Sequence, residues 1–277
     1  MRIKELTVII VTFKSEDKVF SCLDSLSNDV DIIVVENSNN INFKKIIEEK
    51  YSHAKCILTG ENKGYAVANN IGLSNVNTKY ALVLNPDTIL KKDAIQNFLD
   101  RAKSTPNFWL IGPANEQAEK MKNNAKDFYQ VKNLKGHAIF FNLKKFNKKY
   151  FDENFFLYFE EIDLCNQVNL NGGSIFLDRK IIIDHDGASS VKQTNNKELE
   201  KNRNWHWMWS TFYYHKKYKG LFLALLIISP KLISSSLKII FYQLSFNILQ
   251  RDIYLSRMGG IVNSILGRKS WHRPSLD

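Results

Sequence analysis

Apolar and polar positions along residues 1–110 fall into blocks whose period changes back and forth. Thr7–Phe13 is a continuous apolar run rich in β-branched residues, the mark of a strand buried on both faces. Ser15–Leu26 then takes helical spacing through Val19, Phe20, Leu23 and Leu26, with Ser15 at the N-cap position. "DIIVVENS" predicts a second strand with a polar exit, and Phe43–Lys50 a helix. "AKCILTG" predicts a third strand ending at Gly60, Gly64–Leu73 a helix, "YALVLN" a fourth strand and Lys91–Lys103 a helix. Four strand–helix alternations predict an α/β fold whose mostly parallel sheet is flanked by helices.

After Pro106 the pattern loosens. "NFWLIGP" and "GHAIFFN" predict short strands, and Ala114–Lys135 between them reads as an irregular, mobile loop. Phe151–Gly173 crowds aromatics against acids and runs into a helix that stops at Gly172-Gly173. "SIFLD" and "KIIIDHDGASS" predict further strands, and Asn195–Tyr218 a long polar-aromatic helix. Leu221–Ile228 is strongly apolar, but Pro230 and Lys231 are expected to interrupt it well short of a span of ~20 residues. Leu237, Phe241, Leu244 and Ile248 follow at helical spacing and predict an amphipathic helix. The expected division is therefore an α/β domain over 1–219, with halves at about 1–112 and 113–219, and a helical appendage over 220–277.

Charge sharpens that division. The net charge of +11 is concentrated after residue 200, where twelve Lys/Arg stand against two acids. A near-neutral body with a basic, partly apolar tail excludes a uniformly basic nucleic-acid binder. It favours an anionic membrane surface as partner. Apolar spacing beside Arg251, Arg257, Arg268, Lys269 and Arg273 reads as lying on the inner leaflet rather than crossing it. Packing of this segment as a cap on the core is the alternative. Three widely spaced cysteines, Cys22, Cys56 and Cys165, exclude a zinc motif or disulfide scaffold and suit a reducing compartment. "LTVIIVTF" lacks the full pattern of a signal peptide and reads as a core strand. The expected location is the cytoplasm, peripherally on the inner face of the plasma membrane.

In open α/β sheets ligands bind at the carboxyl ends of strands. Those exits carry Thr12-Phe13, Glu36-Asn37-Ser38, the stretch Gly60–Gly64, and Asn85-Pro86-Asp87. No G-x-G-x-x-G follows the first strand, and neither a Walker lysine loop nor a G-x-S-x-G elbow occurs. The remaining candidates are acids. Glu36 is either an exposed turn residue or an acceptor for a base or ribose. Asp87 is either part of an Asn-Pro-Asp turn or a ligand for Mg²⁺ or Mn²⁺ on a substrate diphosphate. Glu160 and Glu161 suit a first helical turn on dipole grounds. Amid Phe155, Phe156, Tyr158 and Phe159 they also suit proton acceptance, since an apolar setting raises a carboxyl pKa. His185, between Asp184 and Asp186, is either a satisfied structural residue or part of a metal site. Arg203 is either a solvated helix charge or a contact to the diphosphate.

Five segments, in order across Leu6 to Tyr218, resemble one family. "TVIIVTFKSED" resembles its opening strand and loop, and "IIVVENSNN" its V-V-D-N-x-S segment. "ENKGYAVANNIG" resembles its N-x-G helix start, "LVLNPDT" its metal-binding D-x-D, and "FDENFFLYFEEIDLC" the block that carries its base. The family is the inverting nucleotide-sugar glycosyltransferases of family two, with the GT-A fold, and the flavour is that of its rhamnosyltransferase-like branch. Glu36 stands where the family has Asp, Asn85 where D-x-D has its first Asp, and Glu161 where the E-D pair has Asp.

The resemblance implies a glycosyltransferase of bacterial surface glycan synthesis. Thr12, Phe13, Glu36, Asn62, Lys63, Gly64, Asn69, Asn85 and Arg203 would bind a nucleotide-diphosphate sugar, dTDP-rhamnose or a UDP-sugar. Asp87 with His185 would hold Mg²⁺ or Mn²⁺. Glu161, beside Glu160, would be the catalytic base toward a lipid-linked glycan acceptor. A nucleotidyltransferase would share the α/β start but usually has a Gly-Arg-rich phosphate loop, which "TFKSEDK" lacks. A non-catalytic membrane-bound homologue is the other alternative.

Overall fold

A computed structural model describes residues 3–114, 126–185 and 196–273. They group into two compact units, Met1–Asp152 with Glu161–Lys192, and Glu153–Glu160 with Gln193–Asp277.

The first unit is the α/β body. Its elements are β1 (Ile3–Thr12), α1 (Glu16–Asp24), β2 (Val30–Glu36), α2 (Ile41–Lys50), β3 (Ala54–Leu58), α3 (Gly64–Ser74), β4 (Tyr80–Leu84) and β5 (Thr88–Leu90). Next come α4 (Ala94–Ser104), β6 (Phe108–Pro113), β7 (Phe128–Gln130), β8 (Ala138–Asn142), α5 (Glu160–Leu170), β9 (Ser174–Asp178) and β10 (Ile183–His185). Eight strands form one sheet in the order β3-β2-β1-β4-β8-β6-β9-β7. β1 pairs in parallel with β2 and β4, and β8 joins β4 antiparallel. The strands are buried on both faces because each face has its own core. Val8, Ile10, Val34 and Leu82 pack on one side; Ile9, Val35, Ala81 and Val83 pack on the other. Gly72 lets α3 lie close to β1, since a Cβ there would fall 2.5 Å from Cγ2 of Ile9. Sequence neighbours diverge at β1, with β2 on one side and β4 on the other. The crevice at such a reversal point is where α/β sheets bind ligands.

Several expectations change. Ser15 precedes α1, but its hydroxyl caps nothing and instead accepts from the Phe13 N–H at 3.2 Å. α2 begins two residues earlier than expected, because the Asn40 side chain accepts from the Phe43 N–H and caps it. The stretch expected to be irregular contains β7, which pairs antiparallel with β9; residues 115–125 lie outside the described residues. "KIIIDHDGASS" yields only Ile183–His185, paired antiparallel with β5 in a separate ribbon. Its continuation, including Asp186, lies outside the described residues.

The second unit joins residues 153–160 to two helices, α6 (Asn196–Leu244) and α7 (Ile248–Ile265). α6 bends at Gly220, whose φ of 79° is open to glycine at little cost. Pro230 does not stop it, contrary to expectation. A proline at that position leaves the Leu226 carbonyl without its helical N–H, and the Ser229 hydroxyl donates to that carbonyl at 3.0 Å. The limb Leu221–Leu244 is thus continuous and about 36 Å long at ~1.5 Å per residue. The helix Lys197–Leu244 as a whole contains an 18-residue window of mean hydropathy 1.8, long and apolar enough by composition to cross a membrane. The helix expected through Leu237 and Ile248 is instead broken between them, where Phe246 takes a φ of 56°. α7 returns antiparallel along the limb. Lys238 Nζ bonds the Tyr254 hydroxyl at 2.9 Å, and Ile228 packs with Ile261. At the other end of α7, Gly260 meets the first limb so closely that a Cβ would lie 2.2 Å from the Trp205 carbonyl oxygen.

Fully buried His206 gives this unit a pH signature. Burial, with the charge of Arg273 adding to it, pushes its pKa down to about 3. The unfolded chain, with an ordinary histidine near ~6.5, then binds a proton that the folded chain refuses. Stability from this group is full above that value and declines as pH falls toward about 3. The unfolding midpoint should begin to drop below pH ~6.5, before ordinary carboxylates titrate. The drop should be shallower in His206→Gln, as thermal scans from pH 7.5 to 5 will read.

Candidate active site

The site is assembled at the carboxyl ends of β1, β2 and β4. Thr12 sits opposite Glu36 in the β1–β2 register. Its hydroxyl is buried and has no hydrogen-bond partner among the described residues, so it is available to a bound group. Phe13 follows it, half-buried. Glu36 is buried, and its loop already uses most of its carboxylate. Oε1 accepts from the N–H and hydroxyl of Ser38, and Oε2 accepts from the Asn40 N–H at 2.7 Å. A carboxylate offers about four lone-pair positions, so roughly one remains for a ligand.

Asn37, named in the sequence only as part of the Glu36-Asn37-Ser38 exit and given no role there, organises the next loop. Its Oδ1 accepts from the Lys63 N–H at 3.0 Å and from the Thr59 hydroxyl at 3.1 Å. Its Nδ2 donates to Asn62 Oδ1 at 3.2 Å. Asn62 Oδ1 also accepts from the Gly64 N–H, and Gly64 takes a φ of 81° to start α3. Lys63 extends its ammonium to Glu61 at 3.0 Å. Asn69 is fully buried in α3; its Nδ2 donates to the Tyr65 carbonyl, and its Oδ1 has no hydrogen-bond partner among the described residues. Its neighbour Asn70 clamps Phe151 through both amide atoms, at 2.9 and 3.0 Å.

The turn after β4 is held by its backbone. Asn85 N–H donates to the His137 carbonyl at 2.9 Å, and the Asn85 carbonyl accepts from the Thr88 hydroxyl at 2.7 Å. Asp87 is buried, and His185 Nε2 lies 3.4 Å from its Oδ1. The β5–β10 ribbon, which pairs Thr88 with His185, creates that approach. His137 stacks on His185 with ring centroids 4.8 Å apart. Burial first, then the charge of His185, pushes the His137 pKa down to about 4, which keeps it neutral at pH 7. "GHAIFFN" gave no signal for this second imidazole, because its role depends on strand pairing between distant segments. A carboxylate and an imidazole this close suit Mn²⁺ or Mg²⁺ held partly by other oxygens. Among the described residues, no cluster of three His, Cys, Asp or Glu side chains could hold a metal by itself.

Glu161 opens α5 in the same unit, with Gly136 alongside. A Cβ built on Gly136 would lie 3.5 Å from Glu161 Cβ, and the Tyr65 hydroxyl donates to the Gly136 carbonyl at 2.7 Å. Burial raises the Glu161 pKa; the N–H groups of Glu161 and Ile162 oppose that only in part. Glu160 and Arg203 belong to the second unit. Glu160 is buried, and Arg203 Nη1 bonds Glu200 Oε1 at 2.9 Å. Tyr158 and Phe159, just before Glu160, have φ values of 69° and 72°. Left-handed backbone at bulky residues costs about 1–3 kcal/mol each and persists only where the surroundings impose it.

Sheet order, reversal point and exit acids define an α/β fold of GT-A type. The chain belongs to glycosyl transferase family 2, whose profile matches residues 7–165. It is 27% identical over 199 residues to the low-salt glycan biosynthesis hexosyltransferase Agl10 of Haloferax volcanii, covering 61% of this chain and 64% of that protein. It is 30% identical over 117 residues to the teichoic acid poly(glycerol phosphate) polymerase of Staphylococcus epidermidis, covering 39% of this chain and 16% of that one. The match thus spans under two thirds of either relative's length. Among solved structures, the mannosyltransferase PcManGT of Pyrobaculum calidifontis, in complex with GDP-Man and Mn²⁺, superposes with a TM-score of 0.59 at 12% identity, covering 97% of this chain and 89% of that one. GalNAc-T7 with UDP, GalNAc and Mn²⁺ superposes with a TM-score of 0.54 at 10% identity, covering 77% of this chain and 50% of that one.

Proposed function

We propose that the protein is an inverting glycosyltransferase that moves a sugar from a nucleotide-diphosphate donor to a lipid-linked or polysaccharide acceptor. One observation carries the reading: buried Asp87, at the reversal point of a family 2 sheet, lies 3.4 Å from His185. Thr12, Glu36 and the loop before α3 hold the nucleoside. Asp87 and His185 would hold Mg²⁺ or Mn²⁺, which would offset the charge of the departing diphosphate. Glu161 takes the proton from an acceptor hydroxyl. That oxygen bonds the anomeric carbon as the bond to the diphosphate breaks, the nucleoside diphosphate leaves, and the configuration inverts. The raised pKa of Glu161 makes it a better proton acceptor than an ordinary carboxylate.

A position on an anionic membrane surface fits this chemistry, because it brings the site to a lipid-linked acceptor. Along the apolar limb of α6, Phe222, Leu226, Ile233, Leu237 and Phe241 are all more than half exposed. The adjoining α7 carries Arg251, Asp252 and Arg257. Charges of that kind are costly inside hydrocarbon, so the helix pair lies at the interface. Nucleotide release should be measured with dTDP-rhamnose first, then UDP- and GDP-sugars, with and without polyprenyl-diphosphate sugars on anionic vesicles. The expected result is release that depends on one donor and rises with the lipid acceptor, with vesicle binding weakened by salt. No release and no nucleotide binding with any donor would leave the non-catalytic homologue as the better reading.

A further inference from the structure

The mechanism leaves unexplained what keeps Tyr158 and Phe159 in a left-handed conformation directly ahead of the two acids. The second unit supplies the cause. Segment 155–159 lies along one face of α6. His206 stacks on Phe156 at 4.5 Å, the Ser210 hydroxyl donates to the Leu157 carbonyl at 2.9 Å, and Tyr213 meets Phe155 edge-on at 5.0 Å. Trp207 packs on both Tyr158 and Phe159, at 5.2 and 5.4 Å. Residues 206, 207, 210 and 213 share a face because side chains three and four apart line one side of a helix.

The end of the chain then closes over that arrangement. His206 Nδ1 pairs with the Ser270 hydroxyl at 2.8 Å, and Nε2 with the His272 carbonyl at 2.8 Å. As the only arrangement that satisfies a neutral ring, Nε2–H donates to His272 and Nδ1 accepts from Ser270. Trp209 Nε1 donates to the Arg268 carbonyl at 3.0 Å. The Arg273 guanidinium covers the Phe156 ring at 3.6 Å, so Phe156 is held between His206 and Arg273.

We propose that residues 268–273 form a strap that positions the catalytic acids. Acting through Phe156 and His206, it holds segment 155–159 against α6 and so fixes the stretch of chain that leads into Glu160, the residue bonded to Glu161. The inference rests on the transferase reading for its kinetic consequence, but not for its structural one. Arg273 and Ser270 are positioning residues: neither is required to touch the substrate.

The test uses the full-length protein with Arg273→Ala, Arg273→Lys and Ser270→Ala. Hydrogen exchange should show amides 157–162 losing protection by about tenfold in Arg273→Ala, with the sheet strands unchanged. The kcat for transfer should fall about 10–100-fold, because small displacements of a reacting group are that costly. Donor KM should stay within about twofold, and Arg273→Lys should recover part of kcat because it keeps a cation over the ring. Ser270→Ala removes one hydroxyl and should show the same pattern, more weakly, should Arg273→Ala not fold. Unchanged protection in both variants would overturn the strap, as would a local loss of protection with kcat intact. So would a loss spread over the whole protein, or one matched by an equal rise in KM. If the parent enzyme transfers no sugar, the functional reading fails separately and the exchange result alone judges the strap.

Discussion

Glu161→Gln should lower sugar transfer by about 10²–10⁴-fold, the usual worth of a positioned base, while nucleotide-sugar binding stays near that of the parent. Gln keeps the shape of the side chain and its place beside Gly136 but cannot accept the proton. The same burial that makes Glu161 basic also sets the pH behaviour. Its pKa is raised, so the acid limb of kcat should lie above the ordinary glutamate value of ~4.3, with activity falling as pH drops through the raised pKa. For stability the sign is reversed. A carboxyl that holds its proton more tightly when folded contributes stability below its raised pKa and loses it as pH rises through that value. Once it is charged, Glu161 is therefore a burden on the fold. Glu161→Gln should unfold at the same temperature as the parent or higher. Glu160→Gln should cost less activity. Steady-state kinetics from pH 5 to 8, with thermal melts of the same samples, will decide. Near-native turnover by Glu161→Gln would remove it as the base.

The body of this fold was legible because its strands are buried on both faces. Val8–Ile10 and Leu82–Leu84 must be apolar throughout to serve two cores, so they stand out as unbroken runs. Helix α3 and the exit turns were legible for the same reason, since Gly64 and Pro86 interrupt those runs. The short β7 and β10 were not legible as they stand, because three residues carry no period and their pairing with β9 and β5 is decided by distant segments. Pro230 misled because a proline normally ends a helix; nothing in linear spacing says that Ser229 will serve the freed carbonyl. Within the candidate site, Asp87, His185 and Glu161 drew attention in the sequence through their chemistry next to a strand exit or helix start. Asn37 and His137 did not. Each acts through a loop or a ring contributed by a segment between 25 and 48 residues away. The strap at residues 268–273 read only as basic charge at Arg268, Lys269 and Arg273, although the bonds of Ser270 and His272 to His206 are what give it a place.

Asp87→Ala should abolish the metal-dependent part of the transfer rate without unfolding the domain. The turn that carries Asp87 has bonds that do not involve its side chain. It is held by Asn85 N–H to His137, and by the Thr88 hydroxyl and N–H to the Asn85 carbonyl. Those bonds survive the substitution. What is lost is the carboxylate that lies 3.4 Å from His185 Nε2. Because Asn85 is neutral where the family has an acid, the protein alone offers Asp87 and His185 as a weak pair. Hard divalent cations favour charged oxygens and fill remaining positions with water or phosphate oxygens. Mn²⁺ should therefore bind the free protein weakly, and at least about tenfold more tightly when a nucleoside diphosphate supplies further oxygens, a coupling of ~1.4 kcal/mol. By the reciprocity of linked equilibria, the nucleotide should tighten by the same factor when Mn²⁺ is present. Asn85→Asp should be tolerated and should strengthen Mn²⁺ binding to the free protein, because it restores the missing charge. Calorimetric titration of Mn²⁺ into the parent, Asp87→Ala and Asn85→Asp proteins, each with and without nucleotide, measures all of these quantities. If Mn²⁺ binds the free parent as tightly as the nucleotide complex, or if Asp87→Ala keeps its metal-dependent rate, then Asn85-Pro86-Asp87 is a turn that ends a strand and nothing more.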